Sequence, residues 1–193
     1  MLISSPAPPE ITDVLDRGER VLWSGQPRQG PMLHGTDAFA IPFALLWTSV
    51  PLFGGLAALR GPKGNSFALV PILPFVLIGL YLLIGRFFVD AAQRRRTFYA
   101  VTNERVLIVS GLFSRNVQSL SLRTLDQVNV SSRASGRGTI MFGRNTYGSF
   151  TLSGWPGMGK YLPPMFDTIA EAAEVAKLIR DAQRSATAPA ERA

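Results

Sequence analysis

The run GWPGMGKY, Gly154 to Tyr161, comes nearest to a chemical motif. It fits GxxxxGK, the loop whose backbone N–H groups and lysine cradle phosphates. That loop needs Ser or Thr at the next position to hold magnesium, and a helix opening at the lysine. Tyr161 stands there instead, and Leu162, Pro163 and Pro164 block a helix. The stretch therefore reads as a glycine-rich loop between β elements. Gly136–Gly138 and Gly157–Gly159 lack the spacing of a dinucleotide fingerprint. His34 is the single histidine and the chain has no cysteine, so His34 has no metal-ligating partner and thiol chemistry is excluded. Asp90, Glu104 and Asp126 are the only acids between residues 90 and 166, too far apart to suggest a carboxylate pair. These residues point to neither an enzyme nor a bound cofactor.

What remains is basic. Residues 90–166 carry ten basic and three acidic side chains, whereas 1–37 and 167–193 are slightly acidic. Arg94, Arg95 and Arg96 form a run, and Arg133, Arg137 and Arg144 flank expected turns. Together they are candidates for contact with anionic lipid headgroups, where a basic residue contributes about 1 kcal/mol if it reaches the surface. Nucleic acid is the other partner such an excess could serve, but the aromatic-interleaved RNA signatures are missing.

The elements that would position these arginines begin with two apolar runs. Residues 38–59 hold no charge, and 22 residues at about 1.5 Å rise span roughly 33 Å, enough for a bilayer core. Residues 67–89 hold one charge, Arg86, expected to snorkel to the headgroups. Neither run has the polar stripe of a soluble helix. Pro42, Pro51, Pro71 and Pro74 interrupt them, which membranes tolerate. Gly54 and Ala58 are spaced to let the helices approach closely.

A seven-residue loop, Arg60 to Ser66, forces an antiparallel hairpin with both termini on one side. Arg94–Arg96 outweigh the loop's two positive charges, which places the termini in the cytoplasm. Residues 1–15 lack the basic start and apolar centre of a cleavable signal, so the first span is expected to direct its own insertion.

From Thr97 the pattern turns to period two. Strands are expected at 98–102, 105–110, 117–122, 125–130, 139–142 and 149–152, separated by turn residues such as Asn103 and Gly111. Thr168 with Glu171 has the form of a capping box, with Ile169, Ala172, Ala173, Ala176 and Ile179 following on one helical face. The tail 185–193 has nothing to bury and is expected to be disordered.

Three stretches carry a family resemblance: GERVLWSGQP from Gly18 to Pro27, YAVTNER from Tyr99 to Arg105, and GRGTI from Gly136 to Ile140. The run Phe166 to Ile169, read as a helix start, fits as well. The chain resembles bacterial membrane proteins with a pleckstrin-homology-like (PH-like) domain over roughly residues 13–184, departing from them in the long glycine- and proline-rich stretch 143–164.

The resulting expectation is a two-helix transmembrane hairpin plus a mainly β PH-like domain, an antiparallel bent sheet or partly open barrel capped by a C-terminal helix. Its parts would be a cytoplasmic segment 1–37, the spans 38–59 and 67–89, and the domain 95–184. Trp23 has two places open to it, against the β domain or in the membrane interface. The resemblance implies a non-enzymatic platform at the bacterial inner membrane for a protein partner or a homo-oligomer. Headgroup binding through the arginines is the alternative, and nucleic acid is not expected.

Overall fold

The structure is a computed structural model that describes residues 7–33, 35–61, 66–112, 114–125, 127–132, 136–143 and 163–187. His34, Lys63, Asp126, Arg133, Arg144, the GWPGMGKY run, the strand expected at 149–152 and the tail from 188 lie outside these residues. The described chain divides into two compact units, residues 31–90 and a β unit made from 7–30, 91–143 and 163–187.

The first unit is built on two helices. α2 spans Asp37–Arg60, following the short α1 at Pro9–Thr12, and α3 spans Leu73–Arg95 with a π turn at Tyr81–Gly85. The second apolar run begins at Phe67, but α3 begins only at Leu73. Pro74 fits the first turn, where its missing N–H costs nothing, and Ser66–Leu69 forms a 3-10 turn before it. Asp37, Ile41, Ala44, Thr48, Pro51, Gly55 and Ala58 of α2 are buried or half-buried, at alternating spacings of four and three. That is the seam of two helices crossing at a shallow angle.

The close contacts are Thr48 on Gly79 and Gly55 on Ile72, and a Cβ on Gly79 would overlap the Thr48 hydroxyl. The Thr48 hydroxyl donates to the Ala44 carbonyl at 2.6 Å and so brings no unsatisfied donor into the seam. The expected contact at Gly54 does not occur, because Gly54 has nothing within 4 Å of its Cβ position. Arg86 does not reach outward either: it pairs with Asp37 at 2.6 Å, both side chains buried. The outward residues are apolar, with Phe39, Phe53, Phe67 and Phe88 each at least 70% exposed.

The second unit contains two antiparallel sheets. One has the order β1-β2-β3-β4, from Val21–Gly25, Phe98–Thr102, Arg105–Ser110 and Asn116–Ser121. The other has the order β5-β6-β7, from Val128–Ser132, Gly138–Phe142 and Met165–Ile169. The first strand of this unit precedes the hairpin in the sequence. Val21–Gly25 pairs with Tyr99–Thr102, so the two ends of the hairpin are tied by one sheet.

The central strands of the first sheet, β2 and β3, are buried on both faces. Tyr99, Val101, Val106 and Ile108 face the main core, while Ala100, Leu107 and Val109 lie under Ile11 of α1. This explains the unbroken apolar run Val106–Val109, which a half-exposed strand would not show. Trp23 packs on the main core, with its ring 5.6 Å from that of Phe166.

The C-terminal helix, α4, is Ala172–Thr187 and buries Ala172, Val175, Ala176, Ile179 and Ala182. The expected capping box at Thr168 does not form. Phe166–Ile169 is strand, paired with β6, because Phe166 is the aromatic centre of the core: Tyr99, Phe142 and Trp23 all contact its ring. Ala173, expected on the apolar face, is exposed, and Val175 takes the core position. The strand expected at 125–130 is also displaced. Leu122–Thr124 forms a 3-10 turn, and β5 starts only at Val128.

Candidate interaction site

Two buried polar clusters hold the β unit in register. In the first, the Arg105 guanidinium grips the Glu19 carboxylate with Nε at 2.9 Å and Nη2 at 2.8 Å. The Thr102 hydroxyl donates to Glu19 Oε1 at 2.7 Å and accepts the Glu104 and Arg105 N–H groups, which fixes the β2–β3 turn. Asn103 exchanges two hydrogen bonds with the Arg20 backbone, at 2.7 and 3.1 Å. GERVLWSGQP and YAVTNER are thus one structure, each supplying half of a buried ion pair. Burial by itself raises the Glu19 pKa. Hydrogen bonds from Arg105, the Asp16 N–H and Thr102, with the Arg105 charge, outweigh it and hold the carboxyl below its ordinary value.

The second cluster is built on Arg94, one of the expected lipid-facing arginines. Arg94 is 7% exposed and pairs with Asp167 at 3.0 Å, its Nη1 also reaching the Thr168 hydroxyl at 3.3 Å. Asp167 accepts further from Thr139 at 3.1 Å, and its N–H donates to the Tyr99 hydroxyl at 3.2 Å. Burial pushes the Tyr99 phenol above its ordinary value. Thr168 takes φ +45°, a costly value for a β-branched residue, at the register shift between β6 and β7. Arg95 and Arg137 are exposed. Arg96 is also exposed, but its Nη1 donates to the Leu112 carbonyl at 2.7 Å. The inward turn of Arg94 follows from its place on α3, since its neighbours Arg95 and Arg96 are rotated away from the core.

The open feature of the unit lies along β4. Among the described residues β4 is the last strand of one sheet and β5 the first of the other, and neither contains a charged residue or a proline. In an antiparallel edge strand, alternate N–H and C=O groups point away from the sheet. Beside β4 is a groove of about 320 Å³, with Leu120, Leu125 and Phe142 at its floor and Ser119, Ser121 and Thr124 at its rim. Gln183 of α4 donates to the Leu125 carbonyl at 2.7 Å and holds the floor in place. Phe142 reaches the groove from another sheet, so the local periodicity that reveals β4 carries no sign of it.

The family model described as Bacterial PH domain matches residues 49–183, from within α2 to within α4. No curated protein and no solved structure matches the chain. The match covers the second half of α2, all of α3, all six strands that follow and most of the closing helix, in the order found here; the chain belongs to the bacterial PH domain family.

Proposed function

We propose that this chain is a membrane-anchored binding module, not an enzyme, whose β domain receives a protein partner at the seam formed by the edge of β4 and the groove beside it, on the cytoplasmic side. The reading rests on the seam itself: an uncharged strand edge beside a groove floored by Leu120, Leu125 and Phe142. Edges of this kind are templates for pairing, and folded proteins ordinarily block them with charge, proline or a covering element.

Anchoring is supported by α2 and α3. Only 11% of the most apolar window of each is buried, unlike the core helix of a soluble protein. Both helices are long enough to cross a bilayer core of about 30 Å. The arginine run after α3 favours the cytoplasm for the β domain under the positive-inside rule. In a bacterium this means the inner membrane with both termini inside.

A second reading, contact with anionic headgroups, is favoured by the exposure of Arg95, Arg96 and Arg137. It loses Arg94, whose charge is used within the fold.

Photo-crosslinking in cells from a reactive residue at Ser119, compared with one at Arg95, separates the two. Discrete protein adducts from Ser119 support the seam. Lipid adducts from Arg95 with none to protein from Ser119 would overturn the platform reading in favour of headgroup contact.

A further inference from the structure

We infer that the partner binds as an added β-strand along β4, and that its segment is extended, bears an apolar side chain for the groove and is acidic at the end that meets Arg123. The inference deepens the seam reading above and rests on it.

The charges around the edge specify the partner's sign. In the β unit, Glu19 is taken up by Arg105 and Asp167 by Arg94, so two of its acids are neutralised inside the fold. Arg123 is different. It sits on the 3-10 turn at the end of β4, exposed, next to rim residue Thr124, and has no ion pair among the described residues. A carboxylate is the group that complements it.

The backbone specifies the partner's shape. Asn116–Ser121 pairs with β3 along one side over six consecutive registered positions, and among the described residues no strand pairs with its other side, which offers a regular ladder. A helix laid in the groove would leave those groups without partners, whereas a strand satisfies them while alternate side chains point into the groove.

The same charges disfavour a second copy of this chain as occupant. Antiparallel pairing of β4 with itself, centred on Ser119, sets Arg115 of one copy opposite Arg123 of the other. Like charges directly opposite are destabilising across a strand pair.

The test uses the full chain in nanodiscs of zwitterionic lipid, panned against a display library of random twelve-residue peptides. Enriched peptides should combine an apolar residue with Asp or Glu. N-methylation of successive amides in the best peptide should weaken binding tenfold or more at every second position only. Arg123→Glu should weaken it tenfold or more.

An empty library, a flat N-methyl profile or indifference to Arg123→Glu each overturns strand addition. A Ser119→Cys chain that forms a disulfide dimer in two-copy nanodiscs overturns it too, in favour of self-pairing. The seam reading fails separately: protein adducts from Ser119 in cells alongside a flat N-methyl profile leave the seam standing and remove only the strand.

Discussion

Asp37, in the first turn of α2, and Arg86, beyond the π turn of α3, form an ion pair at 2.6 Å in which both side chains are at most 5% exposed. The pair lies in the same seam as Thr48 and Gly79, so it fixes which turn of one helix faces which turn of the other. Removing one partner of a buried pair strands the other charge, at a cost of about 3–5 kcal/mol. Asp37→Leu and Arg86→Leu should each lower the melting temperature of the detergent-solubilised chain sharply. The double substitution should recover most of the loss, because two apolar residues can replace a buried pair at little cost. If the double variant is no better than the singles, the pair is not the relevant contact.

Gly79 sets how near the two helices come. Any Cβ there overlaps the Thr48 hydroxyl, which is itself tied back to the Ala44 carbonyl and cannot easily yield. Gly79→Val should therefore destabilise the hairpin by about 1–3 kcal/mol, as overpacking does. Gly54→Val should do almost nothing, because its Cβ would point into open space. Thermal unfolding of the two variants in the same detergent makes the comparison.

How much of this was legible in the sequence depends on the range of the interaction. The first apolar run and strands β2, β3, β4 and β6 follow from local periodicity, and the structure has them within a residue or two, while the second run becomes helix only from Leu73. Local patterns failed where a distant partner decides the outcome. Phe166–Ile169 has the look of a helix start, yet Tyr99, Phe142 and Trp23 draw Phe166 into the core as strand. Arg94 looks like one of three equal surface arginines, and only Asp167, 73 positions on, makes it different. Val21–Gly25 carries a family motif but no sign that its pairing partner lies beyond 70 residues of hairpin.

Glu19 gives the β unit a defined acid sensitivity. Its carboxyl is held below the ordinary value of 4.5, so the folded state favours the ionised form. That stability is present above 4.5 and is lost as the pH falls through the lower folded value. Glu19→Gln should cost about 2 kcal/mol at neutral pH, since it removes two charge-assisted hydrogen bonds from Arg105 and leaves it only Asp16 as a paired acid among the described residues. The gap between the two proteins should close on acidification. Denaturant titrations at a series of pH values would show it, and a gap constant with pH would mean that Glu19 acts through packing alone.

Tyr99 gives the opposite limb. Burial raises its phenol above the ordinary value of 10.0, so the fold favours the neutral form. The resulting penalty on unfolding is unaffected below that value and fades as the pH rises through the folded one. The ultraviolet signal of ionised tyrosine should therefore show one group that titrates only as the β unit unfolds. Loss of that late step in Tyr99→Phe assigns it.

Arg94 and Arg95 are adjacent and should behave as opposites. Arg94 is enclosed by Asp167 and Thr168, and its removal leaves the half-buried Asp167 carboxylate with the Thr139 hydroxyl as its side-chain partner among the described residues. Arg94→Ala should destabilise the β unit by about 3 kcal/mol or more. Arg95 is exposed, and Arg95→Ala should change stability by less than about 0.5 kcal/mol. Affinity for anionic nanodiscs should separate them in the other direction: any salt-dependent binding should fall in Arg95→Ala and persist in whatever fraction of Arg94→Ala remains folded. Equal loss of binding in both folded variants would return Arg94 to the surface and contradict its pairing with Asp167.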